Sequence, residues 1–341
     1  MRALLIKTSS FGDVVHTLPA ISDAVAASPG LTFDWVLEPP FAPIAALHPG
    51  VARVIPLSMR SLRQPSIKHL RSWLSAVGAL RADAYDVVID AQGLLKSAPL
   101  ALLARGPSHG FDRSSAREGW ASLIYGRRHH VARDQHAIQR TRMLFAAALD
   151  YSLPNSPPVF GIRKNEAPAS NANRDVFLAH ATSWSSKLWA LDAWRELAIL
   201  LTGQGYHVVV PAHGEAERQR AAWIVSAIAD SEILPPMALG ALAGRIASAR
   251  AMVACDTGLA HLGGALGVPT LTLYGPTAPA LTGTAGARVL NLALGTDACV
   301  HSPCLSRQCR RTNNDQTSPC LHMITPKTVF SRLLQLMMAR D

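Results

Sequence analysis

Apolar residues are arranged in two alternating ways along the chain. Short runs without a helical period stand between stretches in which apolar residues return every three or four positions. Arg2 to Lys7 is the first run, and it predicts a buried parallel strand ending at Lys7. Thr8, Ser9 and Ser10 then form a hydroxyl-rich turn, and Gly12 relaxes the backbone. Asp13 stands at an N-cap position before the helical series Val14, Val15, Leu18, Ile21 and Ala24. Phe33 to Glu38, Ala52 to Pro56 and Tyr85 to Asp90 read as further strands, the last followed by Gln92, Gly93 and a helix carrying Lys96. A basic stretch from Arg60 to Arg71, broken by Pro65, leads into a helix with Leu70, Trp73, Leu74, Val77 and Leu80 on one face. Alternating strand and helix predicts an α/β fold with a parallel sheet. Ligands of such sheets sit beyond the carboxyl ends of the strands, so Thr8 to Asp13 is expected to line a cleft.

A helix over His136 to Asp150 is followed by Tyr151 to Arg174, whose Pro, Ser and Asn content is that of a linker. The expected division is a first domain over 1–160 and a second over 172–324. The second half restarts the same alternation. Val176 to His180, Tyr206 to Pro211, Ala251 to Cys255 and Thr270 to Tyr274 read as strands. Leu191 to Leu201, Glu215 to Ile228, Met237 to Ala249 and Thr257 to Leu266 read as helices. A final amphipathic helix over 325–341 is expected to cross back onto the first domain. A length of 341 residues also suits two cores better than one.

Composition narrows the class. No run of 18 or more apolar residues occurs, so no bilayer span is expected, and polar Thr8 to Ser10 interrupt the only start a signal peptide could have. A cytoplasmic location follows as the expectation. The formal net charge is +10, which points to an anionic partner such as a negatively charged membrane or an acidic substrate. Six basic residues and no acidic one lie between Arg53 and Arg81, and eight arginines lie between Arg105 and Arg142 against Asp112, Glu118 and Asp134. An aromatic content of 6% and the lack of a nucleic-acid motif count against a nucleic-acid partner.

Several residues could carry chemistry. Asp13 beside Lys7 and His16 admits two readings, a helix cap and a general base at the mouth of a cleft. CDTGLAHLGGALGVP, residues 255–269, places Asp256, Thr257 and Gly258 where a strand gives way to a helix. It reads either as a capped, packed helix or as a phosphate site at a helix N-terminus. Arg60, Arg63, Lys68 and Arg117 offer donors suited to phosphate or carboxylate. The chain has no D-x-D pair, and a metal-held diphosphate is not indicated. Cys299, Cys304, Cys309 and Cys320 fall within 297–322 at C-x4-C-x4-C-x10-C spacing, looser than a zinc ribbon, and are read as structural.

KTSSFGDVVHTLPA at 7–20 resembles the N-terminal signature of the bacterial lipopolysaccharide heptosyltransferases. DWVLEPPF at 34–41 and VIDAQGLLKSA at 88–98 resemble the branch that adds the first heptose. The resemblance extends to about residue 290. It implies a GT-B architecture, two Rossmann-like doubly wound domains facing a cleft. It also implies an inverting transfer of L-glycero-D-manno-heptose from ADP-heptose to the Kdo of Kdo-lipid A, with no cofactor and no metal, at the anionic cytoplasmic face of the inner membrane. The carried-over roles make Asp13 the base and Lys187 the group that meets the leaving diphosphate. Thr182, Ser183, Lys187, Glu217, Met237, Asp256, Thr257, Gly258 and His261 fall to the nucleotide sugar. Lys7, Ser10, Arg60, Arg63, Lys68 and Arg117 fall to the acceptor. The loop 181–189 departs from the family pattern at Trp184, Ser185 and Ser186, and the basic run departs at Ser61 and Gln64. The cysteine-containing tail is more usual in the branch that adds the second heptose, which is the nearest alternative. A non-enzymatic basic protein binding nucleic acid or membrane is the alternative of another class.

Overall fold

The computed structural model describes residues 1–59, 67–163, 173–311 and 318–339. The chain divides into two compact units, Met1–Arg163 and Lys164–Asp341. The first contains strands β1 (Arg2–Ile6), β2 (Thr32–Leu37), β3 (Val51–Pro56), β4 (Val87–Asp90), β5 (Ser108–Phe111) and β6 (Arg127–His129). They form one sheet in the order β3-β2-β1-β4-β5-β6, every pair parallel. The second contains β7 (Asp175–Ala179), β8 (His207–Pro211), β9 (Ser231–Leu234), β10 (Ala251–Cys255), β11 (Thr270–Tyr274) and β12 (Val289–Ala293), in the order β12-β11-β10-β7-β8-β9, again all parallel. Counted from the start of each unit, the two orders are identical.

The apolar runs became the central strands because both of their faces are covered. Ala3 to Ile6, Val176 to Ala179 and Ala251 to Cys255 are buried along their whole length. Four strands were not anticipated: β5 (SHGF), β6 (RRH), β9 (SEIL) and β12. β6, β9 and β12 are edge strands, and β5 lies next to an edge. Their places come from hydrogen bonding to a neighbour already present, so three of the four carry little of the apolar signal that marks a central strand.

The final helix, Pro326–Met338, corrects an expectation. It belongs to the second unit, where Val329, Leu333 and Met337 join the core formed with Val253, Leu271 and Leu273. Trp189 Nε1 donates to the Ile324 carbonyl at 3.1 Å, and Arg288 Nη2 donates to the carbonyl of Met337 at 3.0 Å, which hold both ends of the segment against that unit. The apolar stripe read from the sequence was correct, but the surface that covers it is the sheet of its own unit.

Candidate active site

In each sheet the chain leaves its first strand toward one edge and later returns on the other side of it. The switch points therefore lie between β1 and β4 and between β7 and β10, where ligands of doubly wound folds are bound. In the first unit the loop after β1 leads into the helix Phe11–Ala27. Ser10, not Asp13, is its N-cap, and Asp13 is the third helical residue, closing a capping box. Asp13 Oδ2 accepts from Ser10 N at 2.7 Å and from Ser10 Oγ at 2.9 Å. Lys7 Nζ lies 3.8 Å from Asp13 Oδ1 and donates to the Ala91 carbonyl at 2.9 Å. Burial works against ionising Asp13, but Lys7, the two Ser10 hydrogen bonds and Arg117 outweigh it and hold the carboxyl below the usual carboxylate range. A third of the Asp13 side chain remains open to solvent, so the carboxylate is both charged and reachable.

The loop after β4 fixes this arrangement. Gln92 Oε1 accepts from Thr8 N at 3.0 Å and from Ser9 N at 3.3 Å. Gln92 is in turn set by Asp90, fully buried at the end of β4, which accepts from Gln92 N (2.7 Å), Ser97 Oγ (2.9 Å) and Tyr125 OH (2.7 Å). Burial raises the Asp90 carboxyl while these donors pull it down, with burial the larger effect. Tyr125 reaches Asp90 because Gly110 leaves room for its ring; a Cβ at Gly110 would lie 2.4 Å from the ring carbons. His16 is buried, with its ring centroid 5.4 Å from that of His136.

In the second unit, the loop after β7 ends in a 3-10 turn, Ser185–Lys187, and Lys187 Nζ lies 2.6 Å from Asp256 Oδ2 beyond β10. Thr277 Oγ1 donates to the same Asp256 oxygen at 2.6 Å, Thr182 Oγ1 donates to the Asp256 carbonyl at 3.1 Å, and His261 Nε2 lies 3.8 Å from Asp256 Oδ1. Thr257, next to Asp256, is the N-cap of the helix Gly258–Ala265, and the first amides of a helix have no acceptor within it. The turn carrying Lys187 is held from the far end of the unit. Ser186 Oγ donates to the Ser306 carbonyl at 2.6 Å, and Ser318 Oγ donates to the Ser186 carbonyl at 3.0 Å. The Lys187 ammonium lies 4.4 Å, and the Arg307 guanidinium 5.6 Å, from the centroid of the Trp184 ring.

The structure thus brings Lys7, Ser10 and Asp13 together in one unit, with Arg117 within electrostatic reach. In the other it brings Thr182, Lys187, Asp256, Thr257, Gly258 and His261 together. Ser183 is exposed and precedes the turn. Glu217 sits in the first turn of the helix Glu215–Val225, its Oε2 accepting from His213 N at 2.7 Å; Glu215 is solvent-facing beside Gln219. Met237 is half-buried and precedes its helix, which runs Leu239–Ala247. Arg60 and Arg63 lie outside the described residues, as does the side chain of Lys68. Gln92, Thr277 and Arg307 were missed. Gln92 stands just after a strand end, a signal available in the sequence, whereas Thr277 and Arg307 enter only through folding. All five cysteines are free thiols; burial, with Cys299, Cys309 and Cys304 nearby, pushes the Cys320 thiol up to about 11. Among the described residues no group of three or more His, Cys, Asp or Glu side chains is placed to hold a metal ion.

Known proteins are similar to this chain in sequence and fold. The profile of glycosyltransferase family 9 (heptosyltransferase) matches residues 73–314. Lipopolysaccharide heptosyltransferase 1 of Pseudomonas aeruginosa is 44% identical over 356 aligned positions that cover 100% of this chain and 99% of the relative. The solved structure of Escherichia coli heptosyltransferase WaaC with ADP superposes with a TM-score of 0.87 at 39% identity, covering 98% of this chain and all of that one. The same enzyme with ADP-2-deoxy-2-fluoro heptose gives 0.84 at 38% identity, covering 98% and 99%. The fold is GT-B, with two Rossmann-like units. With that fold, two polar switch points and near-complete coverage at this identity, the chain belongs to glycosyltransferase family 9, the heptosyltransferases.

Proposed function

We propose that this chain transfers heptose from ADP-L-glycero-D-manno-heptose to the Kdo of Kdo-lipid A in lipopolysaccharide core synthesis. The observation that carries the mechanism is the contrast between the switch points: a carboxylate kept ionised in the first unit, a partly buried lysine in the second. Asp13 accepts the proton of the acceptor hydroxyl as that oxygen attacks the anomeric carbon, and the bond to ADP breaks on the opposite face, inverting the centre. The negative charge that builds on the departing diphosphate is met by Lys187 and by the free amides of the helix beginning at Gly258. Asp256 acts on ADP through Lys187, whose ammonium it orients together with Thr277 and Thr182. Glu217 and Met237 are assigned to ribose and adenine, and Ser183 and His261 complete the donor set. Lys7, Ser10 and Arg117, with Arg60, Arg63 and Lys68, are assigned to the anionic acceptor. The enzyme would work at the cytoplasmic face of the inner membrane; among the described residues no helix is long and apolar enough to cross a bilayer.

The test is ADP release on mixing the protein with ADP-heptose and either Kdo-lipid A or its heptosylated product. Release with the unheptosylated acceptor supports the proposal. Release only with the heptosylated acceptor moves the chain to the next step of core assembly, and no release with either refutes the reading.

A further inference from the structure

The first unit keeps six large apolar side chains in solvent within one run of its sequence: Ile67, Leu74, Leu95, Leu102, Trp120 and Leu123, between 48% and 74% exposed. They sit on pieces that pack side by side. The helix Ile67–Ala82 packs on the helix Ala98–Leu103, which packs on the 3-10 turn Gly119–Ile124. Leu95 is tied to that turn by its amide, which donates to Glu118 Oε2 at 2.7 Å. The inner faces of these pieces, through Ala76, Leu80, Leu100, Ala101 and Ala121, already fill the core beneath them. The exposed residues are left over after the core is complete, on pieces that pack side by side, and clustered apolar exposure of this kind marks interaction surfaces.

The charge around this face identifies what covers it. Lys96, Arg105, Arg113 and Arg117 are exposed on the same pieces or the loops between them, and the Arg113 guanidinium lies 4.6 Å from the centroid of the Trp120 ring. The acidic side chains nearby are already engaged. Asp83 pairs with Arg2 and Arg53, Asp112 accepts from Ser115 N at 2.8 Å, and Glu118 holds the Leu95 amide. An apolar face with an indole in it and exposed cations around it matches an anionic lipid surface, where apolar side chains enter the headgroup boundary and cations meet lipid phosphates. The face also adjoins the first switch point. The Glu118 amide donates to the Gly93 carbonyl at 3.0 Å, one residue beyond Gln92, and Arg117 lies within electrostatic reach of Asp13.

We propose that this face of the first unit docks on an anionic phospholipid bilayer by inserting Trp120, Leu123, Leu102 and Leu74, which would hold the acceptor-facing switch point at the height of a lipid-anchored sugar. The inference deepens the proposed function and rests on its lipid acceptor. The experiment is cosedimentation of the full chain with phosphatidylcholine vesicles, with and without phosphatidylglycerol, comparing wild type with Trp120→Ser/Leu123→Ser and with Leu74→Ser/Leu102→Ser. Wild type should bind the anionic vesicles preferentially, and each double variant should lose roughly tenfold or more of that partitioning. Turnover of a deacylated, water-soluble acceptor should stay unchanged, which a folding defect would not allow. Vesicle binding equal to wild type in both variants overturns the proposal. So does a change of oligomeric state with vesicle binding intact, which would make the face a contact between copies. Failure of wild type to turn over either acceptor counts against the proposed function, and the vesicle result is read independently of it.

Discussion

Asp13 owes its charge to its neighbours. A carboxyl with a third of its side chain in solvent would ordinarily titrate near the usual value, and burial of the remainder pushes it upward; Lys7, Ser10 and Arg117 reverse that push. The Asp13 carboxyl is therefore ionised throughout the neutral range, and with Asp13 as the proposed base the acid limb of the pH–rate profile should fall below the ordinary carboxylate value. Asp13→Ala should lower kcat by about two to four orders of magnitude, the usual worth of a positioned base, while ADP affinity measured by calorimetry stays near wild type. A large loss of ADP affinity would remove Asp13 from the role assigned to it. The sequence reading placed Asp13 at the N-cap of this helix. Ser10 holds that position instead and Asp13 is third, because the cap was decided by the extended backbone of Ser10 (φ −86°, ψ −175°) and by amides held from another strand.

Those amides belong to the turn after β1 and their acceptor to the turn after β4; the two turns meet because the strands are parallel neighbours, with Ile6 opposite Asp90. Gln92 is the link, one carbonyl oxygen shared by two successive amides. Gln92→Leu would strip both donors of their acceptor, at a cost of about 1–3 kcal/mol each where no water replaces it. The loop carrying Ser10 and Asp13 should shift. The expected signature is a fall in kcat with an unchanged KM for ADP-heptose, partly rescued in Gln92→Glu, which keeps an acceptor oxygen. A lowered thermal midpoint, with kcat falling as far in Gln92→Glu as in Gln92→Leu, would point instead to general unfolding of the unit. Such pairings are invisible in a linear reading, as is the place of Gly110, whose missing Cβ lets Tyr125 reach Asp90. The central strands were legible because burial on two faces writes a continuous apolar run. β6 and β9 were not, because a polar edge strand looks like a loop until its partner exists.

Across both units, burial lowers the imidazoles of His48, His109, His129 and His180. His48 is pushed down to about 4 by burial and then by Arg163, His109 to about 4 by burial and then by His129 and Arg127, and His180 to about 4 by burial and then by Arg220. With folded values below the unfolded value of about 6.5, the unfolded chain binds more protons between pH 6.5 and 4. The stability these residues confer is thus complete above that window and is lost as pH falls through it. Asp90 and Asp175, raised chiefly by burial, work in the opposite sense. His48 can be isolated: its Nδ1 accepts from Gly50 N at 3.0 Å and its Nε2 meets Ser22 Oγ at 2.9 Å, contacts an amide side chain can partly replace. The thermal midpoint of His48→Gln should fall less than that of wild type between pH 7 and pH 5. An identical fall would show that His48 does not titrate in this window.

The amino-acid order was enough to give an α/β chain of two doubly wound halves, the family to which it belongs, the acid in the first helix and the lysine of loop 181–189. These are written locally, in apolar runs, turn residues and short motifs, and such signals survive without knowledge of what packs where. Folding assigned everything that depends on contact between distant segments. It put Asp13 third in its helix, gave both Lys187 and Thr277 to Asp256, and brought Ser306 and Arg307 to the lysine turn. It also turned the last helix onto its own unit and left an apolar, basic-rimmed face on the first. The reason is physical: a hydrogen bond or ion pair between residues 80 or 120 apart depends on strand order and register, and those are fixed by burying both sheets at once.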